Sequence, residues 1–474
     1  MQQNDWNQWK KGTMGAVVLA AGKGTRMKSA RPKVLHELLG LPMLWYVHTA
    51  IGAVVDAQDQ WTVVGFGREQ VQEACTGYAG HFIPQDQQLG TGHAVQMAWP
   101  AVQESGCEWC LVLNGDVPLI RPESLGQLVS ACWEQGAALG FASIEPEDPT
   151  GYGRVLRHKD GSVAAVVEEK DLAEHGVDRP LKEVNAGLYC LHVPLLGRYL
   201  QGLSRNNAQG EYYITELIDL CVQDGERVVA VNYGRDDAFL GVNSPRELVA
   251  CETLLQQRIN SQLLDSGVIL RNSDQVRISP LAHIQPGVEI TGPVEIYGHT
   301  VIEAESRIGS NVWVKDVQVG PGSQVLEFSH LDQAQVDEKC QVGPFARLRP
   351  GTHLKARAKV GNFVEVKKAV LEVGSKANHL SYIGDAFVGE GSNIGAGTIT
   401  CNYDGRRKHI TVIGERSFIG SNAALIAPVT IGKNSIVGAG SAVSKDVPDN
   451  TLAVTRAKQK NLPRRSASAV DEEN

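Results

Sequence analysis

Residues Ala16 to Lys33 read AVVLAAGKGTRMKSARPK, and the fold turns on how this stretch is read. Ala16-Val-Val-Leu-Ala20 is a short apolar run with β-branched members, the composition of a strand buried on both faces. It stops in Gly22-Lys-Gly-Thr25, where small residues let backbone N–H groups close around an anion. Arg26 and Lys33 add positive charge, and Pro32 stiffens the approach. Strand, glycine turn and cations make a phosphate cradle in outline. The outline alone is not specific. A G-x-x-x-x-G-K-[ST] loop lacks its first glycine here, and Met27 takes the place of the third glycine of a G-x-G-x-x-G fingerprint. A plain strand-to-helix turn with solvated charges is the bland alternative.

The totals bound what surrounds this stretch. A chain of 474 residues is too long for one ordinary core and divides into two or more domains. Hydrophobic residues make up 42% and charged residues 21%, as in soluble globular proteins. A net charge of −8 argues against a general nucleic-acid partner, whose phosphates need a basic face. No apolar run approaches the ~20 residues a membrane helix requires, so no membrane insertion is expected. The opening MQQNDWNQWKKGTM has no apolar segment of the secretory kind, and Met14 offers an alternative start. Residues 1–13 are expected to be a disordered extension. Nine cysteines without framework spacing suit reduced thiols in a cytoplasm. Cys107-Glu-Trp-Cys110 has no second cysteine or histidine pair nearby and runs into an apolar strand, so core or surface thiols are favoured over zinc.

From Met14 to about Asp237, buried strands alternate with helical stretches. Trp61–Gly65, Trp109–Leu113 and Ala137–Phe141 read as strands; Pro42–Val55, Glu69–Tyr78, Thr91–Val102 and Pro122–Gln135 read as helices. The alternation predicts β-α-β crossovers and a mostly parallel sheet, with ligands at the carboxyl ends of its strands. The opening loop lies at such an end. QDQQLGTGHA (85–94) places small residues before a helix, where a base or ribose can approach closely. Leu113-Asn-Gly-Asp116 ends a strand on a hard oxygen ligand suited to Mg²⁺, or on an ordinary turn aspartate.

Ser244-Pro-Arg-Glu247 is a capping box, and Leu248, Cys251, Leu255, Ile259 and Leu263 follow at helical spacing. The predicted helix, 244–266, is ~30 Å long and links two domains, 14–243 and 267–456. Beyond Gly267 the period becomes six. Ile278, Ile284, Ile290, Ile296, Ile302, Ile308 and Val314 form one ladder, Val336 to Val366 a second, and Ile413 to Val443 a third. Hexapeptide repeats imply a parallel β-helix with aliphatic residues stacked inward. At three hexapeptides per turn and ~4.8 Å between strands it runs roughly nine or ten turns. The third ladder slips by one residue against Val388 and Ile394, and the slip falls at NYDGRRKH (402–409), a polar loop expelled from the coil. The tail 457–474 is polar, charge-mixed and expected to be disordered.

The opening loop resembles the signature of the sugar-nucleotidyltransferases, L-A-A-G-x-G-T-R followed by P-K, which Leu19 to Arg26 and Pro32-Lys33 fit without a gap. The resemblance implies an α/β Rossmann-like nucleotidyltransferase domain. Leu19, Ala20, Ala21, Gly22, Arg26 and Lys33 would then embrace a nucleoside triphosphate, Gln85 read uracil, and Gly90-Thr91 pack on the nucleoside. It assigns Mg²⁺ to Asp116, beside Asn114 and Gly115, and to Asn243. Sugar-nucleotide contacts fall to Gly153, Glu168 and Asn185, and Asn207–Ile214 is a further family marker.

The repeats resemble the hexapeptide acyltransferases, which implies a left-handed parallel β-helix and a homotrimer with active sites between neighbouring helices. His379 lies in NHLSYI (378–383), and an unperturbed imidazole titrates near neutrality. Its family counterpart is the general base. Arg349, Lys367 and Tyr382 suit a sugar phosphate, with Asn393 nearby. Ala396, Asn402, Tyr403, Ser421, Ala439 and Arg456 match positions around acetyl-CoA. Motifs of both halves, in this order, resemble a family of bifunctional enzymes from Gly15 to Arg456. Such enzymes acetylate glucosamine 1-phosphate with acetyl-CoA, then transfer UMP from UTP to N-acetylglucosamine 1-phosphate for the bacterial cell envelope. Two rivals stay open: a single-activity nucleotidyltransferase whose β-helix serves only as a trimerisation scaffold, and a regulatory binding protein with degenerate sites.

Overall fold

The computed structural model describes residues 13–78, 80–173 and 181–463. The extension at residues 1–12 and the end of the tail at 464–474 lie outside them. The chain divides into two compact units, the first ending at Leu255 and the second beginning at Gln256.

The first unit is built on nine strands of one sheet. They are β1 (Met14–Ala20), β4 (Gln60–Val64), β5 (His81–Pro84), β6 (Trp109–Asn114), β7 (Leu139–Ile144), β8 (Arg154–Arg157), β9 (Val163–Val167), β10 (Val184–His192) and β11 (Val228–Asn232). A two-stranded ribbon, β2 (Glu37–Leu38) with β3 (Leu41–Pro42), stands apart. The helices are α1 (Met43–Gly52), α2 (Arg68–Ala74), α3 (Thr91–Glu104), α4 (Pro122–Gln135), α5 (Val193–Gln201) and α6 (Glu216–Gln223).

The order β11-β7-β10-β6-β1-β4-β5 puts β1 at the interior of the sheet, parallel to β4 and β6. Ala16, Val17 and Val18 have no exposed surface, which accounts for the unbroken apolar run. The expectation of a mostly parallel sheet needs correction. β10 runs antiparallel to both β6 and β7, and the β8–β9 hairpin joins its edge. Among the described residues no α-helix lies between β9 and β10, so no crossover rule fixes a parallel direction there. Between Asn185 and Tyr189 the pairing with β7 slips, and Gly187 takes φ +72°. This bulge re-aims Asn185.

The helix α7 (Pro245–Asp265) opens on its capping box: Glu247 N donates to Ser244 Oγ at 3.3 Å, and Ser244 N to Glu247 Oε2 at 2.9 Å. The boundary between the units falls inside it. In the second unit, Gln256 Nε2 and Asn260 Nδ2 donate to the Asp274 and Ser273 carbonyls, each at 2.7 Å.

The second unit coils as the period of six predicts. One of its sheets stacks eleven strands, from Ile269–Arg271 to Leu452–Ala453, each parallel to the next. The three aliphatic ladders are buried along their whole length and form one continuous core. The slip is where the ladder places it. Val388 pairs directly with Ile413, and the intervening loop closes on a Tyr403–Lys408 bridge with Tyr403 and Ile410 exposed.

Candidate active sites

β1 and β6 lie side by side, with Leu19 opposite Asn114, so the loops leaving both strands share one rim. Gly115 N donates to Leu19 O at 2.9 Å and joins the two loops. Lys33 reaches the same place. Gly24 sits at φ +58°, and a Cβ there would come within 2.6 Å of Lys33 Cβ, so only glycine lets the turn pass the lysine. Lys33 Nζ donates to an Asp116 carboxylate oxygen and, at 3.0 Å, to Asn243 Oδ1. The Asn243 segment is tied down twice. Val242 N donates to Asp116 O at 2.9 Å, and Asn243 N to Glu247 Oε2 at 2.6 Å. A carboxylate and a carboxamide oxygen are thereby aimed at one cationic centre, a donor set of the kind hard cations take.

Two cavities meet at these residues. The first, about 540 Å³, is lined by Leu19, Ala20, Ala21, Gly22, Lys33, Gln85, Gly90, Thr91, Asn114 and Asp116. The second, about 270 Å³, is lined by Arg26, Gly153, Glu168, Asn185 and Asn243, and shares Thr91, Asn114 and Asp116 with the first. A Cβ on Gly22 would meet no protein atom within 4 Å, so the room it leaves belongs to the first cavity. Gly90, at φ +113°, has the opposite reason: a Cβ would lie 2.4 Å from Tyr212 O. Gly115 lines neither cavity; it packs under the rim against Val34 and Leu44.

The marker segment Asn207–Ile214 is docked against this rim. Tyr212 N donates to Leu89 O and Gly92 N to Tyr212 O, both at 2.8 Å, while Ile214 N reaches Thr91 Oγ1 at 3.2 Å. Glu211 lines the first cavity, which its marker status alone does not announce. In the second cavity, burial holds the Glu168 carboxyl above the usual carboxylate range, partly opposed by the Thr215 hydroxyl, which donates to it at 3.1 Å. Asn185 Nδ2 donates to the buried Tyr189 hydroxyl at 2.6 Å, and Asn185 Oδ1 accepts from Gly187 N.

In the second unit, successive coils stack the expected residues. Leu348 pairs with Val366, which sets Arg349 beside Lys367, and Lys367 pairs with Gly384. The Tyr382 ring lies over Gly384, where a Cβ would be 2.4 Å from its hydroxyl oxygen. Two cations and a phenol therefore share one column. Glu365, a residue the sequence does not single out, accepts from Arg349 at 2.8 Å.

A separate column carries the imidazole. Asn362 pairs with His379, and His379 Nδ1 lies 2.7 Å from Asn362 Oδ1. An amide oxygen only accepts, so Nδ1 is the protonated nitrogen and Nε2 keeps its lone pair. The column continues along the coil edge, with Gly397 N donating to Leu380 O, Asn422 N to Ala396 O and Gly440 N to Ser421 O. Arg456 Nη1 donates to Ala439 O at 2.7 Å. Asn393 is on the same sheet, paired with Lys376 and Phe418.

Asn402 does not join that column. It is buried beside Tyr382, with Nδ2 bonded to the Asp385 carboxylate and 3.5 Å from the Tyr382 hydroxyl. Tyr403 is exposed on the expelled loop under the Lys408 ammonium. Asn362 and Glu365 are legible only once the pairing of coils is known.

Cys107 and Cys110 form no disulfide, and no helix of the described residues is long and apolar enough to cross a membrane.

Comparison with known proteins agrees with both halves. Residues 16–181 match the MobA-like NTP transferase domain, and residues 410–445 match the bacterial transferase hexapeptide (six repeats). The chain is 50% identical over 452 residues to the bifunctional protein GlmU of Oleidesulfovibrio alaskensis, covering 95% of this chain and 97% of that one. It is 49% identical to the GlmU of Nitratidesulfovibrio vulgaris strain Hildenborough, covering 96% and 99% of the two chains. With that of Acinetobacter baylyi it shares 44% identity over 94% and 97%.

Proposed function

The chain belongs to the GlmU family of bifunctional enzymes of UDP-N-acetylglucosamine biosynthesis, and we propose that its residues divide the two transfers between the paired cavities and the coil edge. The observation that carries the reading is the meeting of Lys33, Asp116 and Asn243 where the two cavities join.

UTP occupies the first cavity, its base against Gln85, Gly90 and Thr91 and its phosphates against Gly22 and Lys33, with Arg26 facing them from the second cavity. N-acetylglucosamine 1-phosphate occupies the second, its sugar against Gly153, Glu168 and Asn185. The sugar phosphate attacks the α-phosphorus in line, one P–O bond forms as another breaks, and pyrophosphate leaves. Such a transfer needs positioning and charge neutralisation rather than a side-chain nucleophile. Asp116 and Asn243 would hold Mg²⁺, which would supply countercharge to the phosphates. Lys33 adds its ammonium to the same centre.

On the coil, Arg349, Lys367 and Tyr382 hold the phosphate of glucosamine 1-phosphate. His379 Nε2 takes a proton from the sugar amine as that amine attacks the thioester carbonyl of acetyl-CoA. The C–N bond forms, the C–S bond breaks, and the departing thiolate takes the proton that His379 received. Asn362 keeps the base in the working tautomer. The small residues Ala396, Ser421 and Ala439 leave a shallow track for the pantetheine arm, with Arg456 near its end.

A homotrimer is supported by the coil's edge. Phe328, Phe345 and Phe363 stack at 4.8 and 5.2 Å while 51%, 45% and 57% exposed. All three take positive φ, a conformation that costs a bulky residue on the order of 1 kcal/mol. Asparagine or glycine fills other such corners, at 311, 397 and 440. Aromatic rings kept there against that cost suit a face that meets a second copy. The enzyme works in the cytoplasm, in keeping with nine cysteines that follow no disulfide framework.

Lys33→Ala tests the assignment. UDP-sugar formation should fall by at least ~10²-fold, the scale of losing a charge aimed at a transferring phosphoryl group. Acetyl transfer on the same preparation should be unaltered. Equal loss of both activities would sink the two-site reading.

A further inference from the structure

The Gln85 carboxamide is almost fully buried, and its nitrogen has two partners. Nε2 lies 3.2 Å from Gly90 O and 2.9 Å from His93 Nδ1. Gly90 O only accepts, so the amide must turn an N–H toward it. The remaining N–H points at His93, whose Nδ1 accepts in the tautomer protonated on Nε2. With both N–H bonds committed, the oxygen is what Gln85 has left to offer the first cavity, which it lines.

His93 is itself held in place. It sits in the first turn of α3, and its ring stacks on Tyr212 at 6.1 Å between centroids, tilted by 28°. Tyr212 is fixed in turn by its backbone bonds to Leu89 and Gly92.

We propose that His93 is a positioning residue for base selection, holding the Gln85 carboxamide so that only an acceptor meets the base. The inference rests on the reading of Gln85 as the residue that faces the nucleotide base. Uracil presents a ring N–H where cytosine presents a lone pair. A fixed acceptor welcomes the first and opposes the second, and such polar mismatches discriminate strongly. Without His93, the second amide N–H has no acceptor in a buried site, and the amide gains by rotating it toward the cavity.

The test compares UTP with CTP as donor for the parent, His93→Leu and His93→Asn. His93→Leu should lower kcat/KM for UTP roughly three- to tenfold, mostly through KM, and narrow the UTP:CTP ratio. Asparagine places an acceptor near the position of Nδ1, so His93→Asn should keep the parent ratio. In a Gln85→Ala background, His93→Leu should change the ratio no further. Acetyl transfer on each preparation reports folding. If leucine prevents folding, His93→Ser, too short to reach Gln85, takes its place. An unchanged ratio in the leucine or serine chain, or His93→Asn behaving as His93→Leu does, would overturn the proposal. A parent enzyme indifferent to UTP and CTP would overturn the reading of Gln85 instead.

Discussion

At the scale of single residues, the role proposed for His379 as a base depends on Asn362. The 2.7 Å contact leaves Nε2 free to accept a proton, and general-base catalysis of this kind is worth roughly 10²–10⁴-fold. His379→Ala should therefore lose acetyl transfer on that scale in a thiol-release assay and leave uridylyl transfer intact. Asn362→Ala should lose about tenfold by letting the ring turn; a variant as active as the parent would remove Asn362 from the mechanism. The sequence marks His379 but not Asn362, because the two meet through a 17-residue coil while the coil before it runs to 18. A period of six cannot say which coils are one residue short. The pair Arg157–Glu183 is equally silent in the sequence. Burial raises the Glu183 carboxyl, but hydrogen bonds from Arg157 at 2.6 and 2.8 Å, with one from Ser143, outweigh it and leave the pKa below normal. A folded-state pKa below the unfolded one gives stability present above about pH 4.3 and lost as pH falls through the lower folded value. Urea titrations should thus show Glu183→Gln less stable than the parent at pH 7 by about 1 kcal/mol, partial exposure of the pair considered. The gap should close toward pH 3. A gap that stays constant would detach the pair from acid sensitivity.

At the scale of elements, repetition and local chemistry carry the information. Hexapeptide ladders specify a coil because each aliphatic position is buried by its neighbours one turn away. The strand–glycine loop at 16–33 and the capping box at 244–247 are equally local, and both appear where the spacing puts them. β10 is different. Its antiparallel course and bulge arise from pairing with strands far away in sequence, so Glu183–Gly187 reads only as a cluster of small and polar residues. Asn243 is likewise a motif match until the fold lays its segment on Asp116. The aromatic edge of the coil belongs to this scale as well. Three phenylalanines one coil apart are an element in their own right, and a charge inside their stack tests what it faces. Phe345→Glu should yield monomers by light scattering and cost acetyl transfer at least tenfold, while uridylyl transfer persists. Trimers that survive the substitution would place the interface on another face.

For the whole molecule, the question is whether the two transfers depend on one another. The paired cavities are complete within residues up to Glu247, and the coil column begins only at Arg349. The first unit buries two clusters of its own and the second one continuous core, so a substitution in one unit should leave the chemistry of the other standing. The product of the second unit, N-acetylglucosamine 1-phosphate, is the acceptor used by the first. Lys33→Ala alone, given glucosamine 1-phosphate, acetyl-CoA, UTP and Mg²⁺, should accumulate that intermediate and consume no UTP. His379→Ala alone should consume neither acetyl-CoA nor UTP. An equal mixture of the two variants should restore UDP-N-acetylglucosamine after a lag, with a final rate near half that of the same amount of parent enzyme. The lag follows because the intermediate must build up in solution before a second molecule can bind it. Added N-acetylglucosamine 1-phosphate should abolish it. A mixture that forms no product, while each variant keeps its own half-reaction, would mean that the intermediate passes within a single molecule.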